Sequence, residues 1–398
     1  MATVIAEAGV GSPGGVPDPV SEEASGGWVV GVLLFSSLCI VTGLIWDISW
    51  HLTIGRDTLW SPPHVLEQIG AGSAGLACGF LVLRTTFAGT AAERAMTVRF
   101  WGFRAPLGAW IAIWGALAMM FSVPFDDWWH NAYGLDVEIL SPPHIVLLAG
   151  MLAIQLGAMI LALGVQNRRG DESAARRYGM AYVIAAGALT AMVAIAISEY
   201  TIQPNTWHTG LTWQVVVGAF PFFLFATARA GRVRFPATAT ALTYMLIFLI
   251  TQWILVQFEA TPRLSPILRP LTHMAAYGFP MLLALPAVAI DLGLRRWDGI
   301  GDWKLAGLLG TAFVIIMVAV HWPFGIFLIE SPLAQNDFFL ARHYPYFSPP
   351  GAFERQFWGA PPLLSGAFLM DMLVAAAIAT LSARAGLAWG SWMRRVRR

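Results

Sequence analysis

Long apolar stretches recur along the chain from Trp28 onward, and short polar segments separate them. A helix needs about 20 apolar residues to cross a bilayer, and in lipid the backbone must satisfy its own hydrogen bonds. The pattern therefore predicts an all-α polytopic integral membrane protein, a helical bundle with about ten transmembrane helices. The expected spans are 28–50, 64–86, 104–125, 144–166, 178–199, 211–229, 236–257, 272–294, 305–328 and 361–384.

The composition agrees with a membrane protein, since 57% of the residues are hydrophobic and only 12% are charged. A soluble domain is about 25% charged. The formal net charge of +1 gives no reason to expect nucleic acid as a partner. Cys39 and Cys78 both lie in apolar runs, which excludes a disulfide scaffold and a zinc ribbon.

The chain divides into three parts. Residues 1–26 are rich in Gly, Pro, Ser and acidic residues and contain no Lys or Arg, so we expect a disordered cytoplasmic tail. Residues 27–166 contain four predicted helices with a duplicated motif, and 167–398 contain about six more, with a long outer loop at 329–360.

The basic residues predict the orientation. In the ten-span topology, 19 Lys and Arg residues lie on the side that holds the even-to-odd connections and the C-terminus, and 5 lie on the other side. The positive-inside rule places both termini in the cytoplasm. All eight histidines then lie in or near the extracytoplasmic connections, at positions 51, 64, 130, 144, 208, 273, 321 and 343.

An internal repeat is the strongest sequence signal. A shift of 79 positions aligns five residues of the first copy, Asp47, Trp50, His51, Gly55 and Asp57, with Asp126, Trp129, His130, Gly134 and Asp136. A shift of 80 then aligns the Ser-Pro-Pro-His segments at 61–64 and 141–144, and Gly70 with Gly150. Each copy spans a helix end, a short loop and the start of the next helix.

The spacing indicates a metal site in each hairpin. Asp47 and His51 are four residues apart and share a helix face. Ser-Pro-Pro-His is typical of a helix start, with Ser as the N-cap, which places His64 in the first turn of the returning helix. The second hairpin repeats this arrangement with Asp126, His130 and His144.

One carboxylate and two imidazoles form a ligand set that suits copper, iron or zinc. The alternative is that these histidines and the nearby tryptophans are interfacial anchors and that Ser-Pro-Pro only starts a helix.

At these residues the chain resembles the C subunit of the copper membrane monooxygenases, the particulate methane and ammonia monooxygenase family. The resemblance covers roughly residues 40–150. That subunit has a copper site spaced Asp-x3-His-x12-His, which Asp47, His51 and His64 match, and a second site spaced Asn-x3-His-x13-His. Asp126, His130 and His144 match the second spacing with Asp in place of Asn. The resemblance implies copper, further membrane subunits or an extracytoplasmic cupredoxin-type partner, and a trimer.

Two functions follow from these residues. The first is a copper monooxygenase-like component, an oxidoreductase that acts on a small apolar substrate. The second is copper acquisition, storage or transport without redox catalysis.

Several other polar residues are secondary candidates. Asp57 and Asp136 either orient a ligand histidine or cap the loop. Glu67 follows His64 by one turn and has no counterpart, since position 147 is Leu. Asp371, inside the last apolar run, is either a step in a transport path or a hydrogen-bonding partner of a neighbouring helix. The remaining candidates belong to later outer loops: Glu199, Asn205, His208, His273, His321 and His343.

Overall fold

A computed structural model describes residues 27–134, 141–168, 171–297 and 299–398, without the side chain of Phe353. The expected disordered tail, 1–26, and Asp136 lie outside the described residues. The helices are α1 (Gly27–Thr53), α2 (Pro62–Phe87), α3 (Ala91–Ala95), α4 (Leu107–Tyr133), α5 (Pro142–Arg168), α6 (Glu172–Ala196), α7 (Ser198–Thr201), α8 (Gly210–Ala230), α9 (Pro236–Leu255), α10 (Ala284–Arg296), α11 (Asp302–Glu330) and α12 (Gly366–Met393). A two-stranded antiparallel sheet joins β1 (Val98–Phe100) to β2 (Phe103–Ala105).

Within the described ranges, nine helices are long and apolar enough to cross a membrane: α1, α2, α4, α5, α6, α8, α9, α11 and α12. Their outward faces carry large apolar side chains, and Leu76, Ile315 and Leu373 are each more than half exposed. A soluble protein rarely leaves so much apolar surface uncovered. The all-α, multi-pass membrane fold predicted from the sequence is confirmed.

The eighth expected span, 272–294, differs from the others because only its second half is helical. Residues 274–282 have no regular secondary structure, and α10 begins at Ala284. Met274 and Phe279 in the extended part are buried. The apolar run therefore fills the protein interior over its first half, and does not form one continuous helix.

Side chains from three helices replace the helical hydrogen bonds that this segment lacks. Gln252 of α9 donates to the Gly278 carbonyl at 2.7 Å and accepts the Gly278 N–H at 2.8 Å. His321 of α11 accepts the Leu282 N–H at Nε2 over 2.9 Å. Ser49 donates to the Ala275 carbonyl, and Thr53 accepts the Ala275 N–H. Tyr244 accepts the Met281 N–H. Non-helical backbone is tolerated at membrane depth where protein satisfies it in this way.

The contacts with α9 show the direction of the segment. Gly278 meets Gln252 near the end of α9, whereas Asp291 in α10 accepts the N–H of Thr238 at the start of α9, at 2.8 Å. The segment therefore runs antiparallel to α9 along most of its length. The described chain crosses the bundle ten times, once without a continuous helix.

The two helices of each hairpin that carries a motif copy are in close backbone contact. A Cβ on Gly70 of α2 would lie 2.8 Å from the Ser36 carbonyl oxygen of α1, and a Cβ on Gly150 of α5 would lie 2.8 Å from the Gly115 carbonyl oxygen of α4. Small residues at such crossings let membrane helices approach closely. The contact brings the start of the second helix beside the end of the first.

Candidate metal centres

Each motif copy places its aspartate and first histidine on the last turns of a long helix. Asp47 and His51 lie at the end of α1, and Asp126 and His130 lie near the end of α4. The chain then leaves the helix through a glycine in the left-handed region, with φ +82° at Gly55 and φ +89° at Gly134. A side chain strains this conformation, which explains why both copies have glycine there.

The first centre brings together all three predicted ligands. His64 Nε2 lies 3.1 Å from one carboxylate oxygen of Asp47, and His51 Nε2 lies 3.7 Å from the other. Asp57 joins them, since its Oδ2 is 3.3 Å from His64 Nε2 and 3.5 Å from His51 Nε2. Asp47, Asp57 and His64 each offer a ligand atom within 4.8 Å of the others.

The second ring nitrogen of His64 fixes the orientation of the imidazole. His64 Nδ1 lies 2.9 Å from the Thr58 carbonyl oxygen, so Nδ1 carries the proton and donates it. The Nε2 atom then faces the carboxylates. Metal-binding histidines are oriented by this type of hydrogen bond.

Ser61 shapes the loop rather than capping the helix through its side chain. It occupies the predicted N-cap position of α2, but its hydroxyl makes no cap hydrogen bond. Instead it accepts the N–H of Thr58 at 2.8 Å. The predicted helix start is correct, and the side chain orders the residue whose carbonyl holds His64.

Sequence reasoning left the role of Asp57 open between ligand support and loop capping. In the structure its carboxylate faces both histidines of the first centre. The hydrogen bond with His51 holds the pKa of Asp57 below its usual value. The signal for this residue was its position two residues after the glycine turn, but the loop geometry was needed to place it among the ligands.

The second centre has the same arrangement. His144 Nε2 lies 3.3 Å from Asp126 Oδ1, and His130 Nε2 lies 3.4 Å from Asp126 Oδ2. His130 Nδ1 lies 3.2 Å from the Gly134 carbonyl oxygen, which again fixes one imidazole through the backbone. All three ligand atoms fall within 4.8 Å of one another.

The ligand atoms fit a cation by both spacing and chemistry. Atoms bound tetrahedrally at about 2.0–2.1 Å from a metal are about 3.3 Å apart, close to the separations in both centres. Asp47 Oδ1 and Asp126 Oδ1 are buried and accept no hydrogen bond. With the Nδ1 atoms of His64 and His130 facing backbone carbonyls, Nε2 atoms and carboxylate oxygens converge in both centres, where a metal cation can take the place of the Nε2 proton.

The first centre has a buried acid below it that the second lacks. Glu67, one turn beyond His64, is 2% exposed, and its Oε1 has no hydrogen-bond partner. Its side chain lies over Gly43 of α1, where a Cβ would come within 2.6 Å of it. The second copy has Leu147 at this position, so only the first centre has a buried carboxyl group below it.

The loop between α11 and α12 covers the turn of the first centre. This loop, 331–365, corresponds to the expected outer loop 329–360. Tyr346 lies against Gly55, and its N–H donates to the Leu52 carbonyl at 3.0 Å. Asp47 is 16% exposed, whereas Asp126 of the second centre is 34% exposed. The central carboxylate is therefore more enclosed in the first centre, although His51 beside it is 47% exposed.

The later histidines do not join either centre. His208 stacks between Trp322 and Phe357, with ring centroids 3.8 and 3.7 Å away. His321 holds the extended segment, as described above. His343 contacts Asp337 at 2.9 Å, and His273 is exposed beside Thr272. In the described part of the chain, these histidines contact neighbouring residues and have structural roles.

Asp371 and the residues before α8 also have structural partners. Asp371 lies in the second turn of α12, and its carboxylate rests against Gly210 at the start of α8. A negative charge is favourable at a helix N-terminus. Asn205 donates to the Gln356 carbonyl at 2.7 Å and ties the loop between α11 and α12 to the bundle, while Glu199 is exposed.

The fold and the two centres define a multi-pass membrane protein with candidate Asp/His metal-binding groups. The chain matches no family model, no curated protein and no solved structure.

Proposed function

We propose that this protein binds copper at two centres on the extracytoplasmic side of the cell membrane and acts as a copper monooxygenase-like component on a small apolar substrate. The ligands are Asp47, His51 and His64 with Asp57 in the first centre, and a second set formed by Asp126, His130 and His144.

The duplicated ligand geometry carries the proposal. In both centres the same aspartate oxygen, Oδ1, faces the histidine of the second helix, at 3.1 and 3.3 Å. The other oxygen faces the histidine one turn along the first helix. Interfacial anchoring does not require two imidazoles on one carboxylate, and does not require this twice. A shared metal-binding role does.

Each group of side chains would have a separate role in this function. The imidazoles and carboxylates hold the ion, and the carbonyls of Thr58 and Gly134 keep His64 and His130 oriented. Copper would supply one-electron chemistry at a position where dioxygen can bind. Apolar helix surfaces around the centres suit a substrate dissolved in the membrane. The first centre, whose central aspartate is less exposed and which has the additional acids Asp57 and Glu67, is the better candidate for the reaction.

Copper acquisition or storage without redox chemistry is the second candidate. The exposure of the ligands favours it, since those of the second centre are 27–35% exposed and His51 of the first is 47% exposed. Metal can exchange readily with a carrier at such a site. Iron or zinc in place of copper is compatible with the same ligands.

The experiment is metal analysis of the full chain purified in detergent, with EPR spectra of the copper-loaded protein. We expect one copper ion per centre in the wild type. The His51→Ala/His64→Ala variant should lose the first ion and His130→Ala/His144→Ala the second. His273→Ala/His343→Ala is the matched control, since these histidines lie outside both centres.

Copper-free protein after loading, or equal content in all three double variants, would overturn the metal assignment. If both centres bind copper, oxygen consumption by the reduced protein with a small alkane separates the two functions. Consumption that depends on His51 and His64 supports the oxygenase component, and copper binding without oxygen consumption supports copper handling.

A further inference from the structure

A short β-hairpin between α2 and α4 presents a strained aromatic residue. β1 and β2 are joined by a two-residue turn, with φ +47° at Trp101 and φ +88° at Gly102. Two successive positive φ values define a type I′ turn, whose first position normally holds Asn, Asp or Gly. A tryptophan is strained there, and this one is 80% exposed. The fold thus keeps a large ring at the tip against the preference of the backbone.

The ring lines an apolar groove. The groove has a volume of about 340 Å³, and only apolar residues line it, from α2, from the hairpin and from α4. Trp101 stacks on Phe100 with centroids 4.8 Å apart and meets Trp114 edge-on at 6.0 Å. Trp110 donates its indole N–H to the Val98 carbonyl at 3.2 Å, which fixes the hairpin to α4.

The opposite face of the hairpin is cationic. Arg99 and Arg104 are directly paired across the two strands. Like charges in this position repel each other, and among the described residues neither forms an ion pair with a carboxylate. The nearby acid, Glu93, pairs with Arg84 at 3.0 Å. Two adjacent guanidinium groups that lack an anionic partner favour the binding of an anion from outside the chain.

We infer that this hairpin binds an anionic phospholipid, with an acyl chain in the groove and the phosphate on Arg99 and Arg104. Alternation along the strands puts Phe100 and Phe103 on the groove side and the arginines on the other. The hairpin thus separates an apolar from a cationic surface, as a membrane surface separates acyl chains from headgroups. Basic clusters next to transmembrane helices recognise anionic lipids. This site is at the opposite end of α2 from the metal centres and does not depend on them.

The experiment is native mass spectrometry of the full chain in detergent with phosphatidylglycerol or phosphatidylcholine carrying identical acyl chains. We expect the wild type to retain phosphatidylglycerol preferentially. Arg99→Gln/Arg104→Gln should lower that retention about 25-fold, at about fivefold for each arginine. The matched control is Arg394→Gln/Arg395→Gln, which removes the same charge from two exposed arginines after α12.

Trp101→Asn tests the groove without endangering the fold, because Asn-Gly is a favoured type I′ turn. We expect this variant to fold at least as well as the wild type and to retain less of either lipid. Equal retention of the two lipids by the wild type would overturn the proposal, and so would equal losses in the two arginine variants. Displacement of the lipid by soluble glycerol phosphate would reveal a site for free phosphate and would also overturn it.

Discussion

Tyr346 lies directly against Gly55, although 291 positions separate them in the sequence. Gly55 forms the turn between His51 and the loop that carries Asp57. The Tyr346 backbone is also bound to this region, through the Leu52 carbonyl. The loop between α11 and α12 therefore restrains the loop that carries Asp57, a candidate ligand of the first centre.

Replacement of Gly55 should be more harmful than replacement of Gly134. Alanine at such a positive φ costs about 1–3 kcal/mol, and both glycines have positive φ. A Cβ on Gly55 would also collide with the Tyr346 ring, whereas a Cβ on Gly134 meets no described atom within 4 Å. We expect Gly55→Ala to lower the melting temperature and the copper content further than Gly134→Ala.

A double variant separates the two effects. In Gly55→Ala/Tyr346→Ala the collision is removed and only the backbone strain is left. The loss relative to Tyr346→Ala alone should therefore match that of Gly134→Ala. If the loss in the double variant equals the sum of the losses in Gly55→Ala and Tyr346→Ala, the contact with Tyr346 does not restrain the turn.

Asp57→Asn should weaken metal binding at the first centre only. The carboxylate faces both His51 and His64, so we expect at least a roughly tenfold loss of affinity. Chelator competition measures the affinity at each centre. The control is Asp127→Asn, because Asp127 is exposed and bonds only to Asn131 beside it. An unchanged affinity in Asp57→Asn would leave Asp57 with the loop-capping role.

His321→Leu should destabilise the protein by about 1–3 kcal/mol, because it leaves the buried Leu282 N–H without an acceptor. His321→Gln retains a side-chain acceptor and should recover part of the loss. Chemical or thermal unfolding in detergent measures both. The copper content of the folded fraction should stay at the wild-type level in each, and a selective loss of copper in either variant would contradict the structural role.

Acid should weaken the packing of His208. Burial between the rings of Trp322 and Phe357 lowers the pKa of His208, and the hydrogen bond to the Trp322 carbonyl and the charge of Glu330 oppose this shift only in part. The folded state then binds the proton less readily than the unfolded state, whose pKa is about 6.5. The stabilisation is complete above that value and is lost as the pH falls through the lower folded pKa.

The melting temperature of the wild type should therefore fall more steeply than that of His208→Gln between about pH 7.5 and about pH 5.5. Differential scanning fluorimetry in one detergent gives both curves. Parallel curves would show that other groups set the acid sensitivity.

The sequence was sufficient to predict the helical membrane fold and to place the candidate ligands near one another. Asp47, His51 and His64 are local in the sequence, so helix periodicity and one short loop determine their approach. Asp57 was harder to assign, because its direction depends on a loop conformation that residue type alone does not specify. The Tyr346 contact with Gly55 was beyond sequence reasoning, since it depends on how remote segments pack.

The broken eighth span shows a different limit. Residues 274–282 are as apolar as a transmembrane helix, and apolar composition alone does not distinguish a helix in lipid from extended chain in the protein interior. The deciding interactions come from Gln252 and His321, in neighbouring helices. A hydropathy pattern contains no information on such pairing.

The extended segment also has a consequence for biogenesis. A continuous apolar helix can leave the insertion machinery for lipid by itself, because its backbone is already satisfied. Residues 274–282 lack that independence, since their donors and acceptors depend on α1, α9 and α11. His321 is synthesised after this segment. The Leu282 N–H therefore gains its acceptor only after α11 has been made, which makes the final placement of α10 a late step in the assembly of the protein.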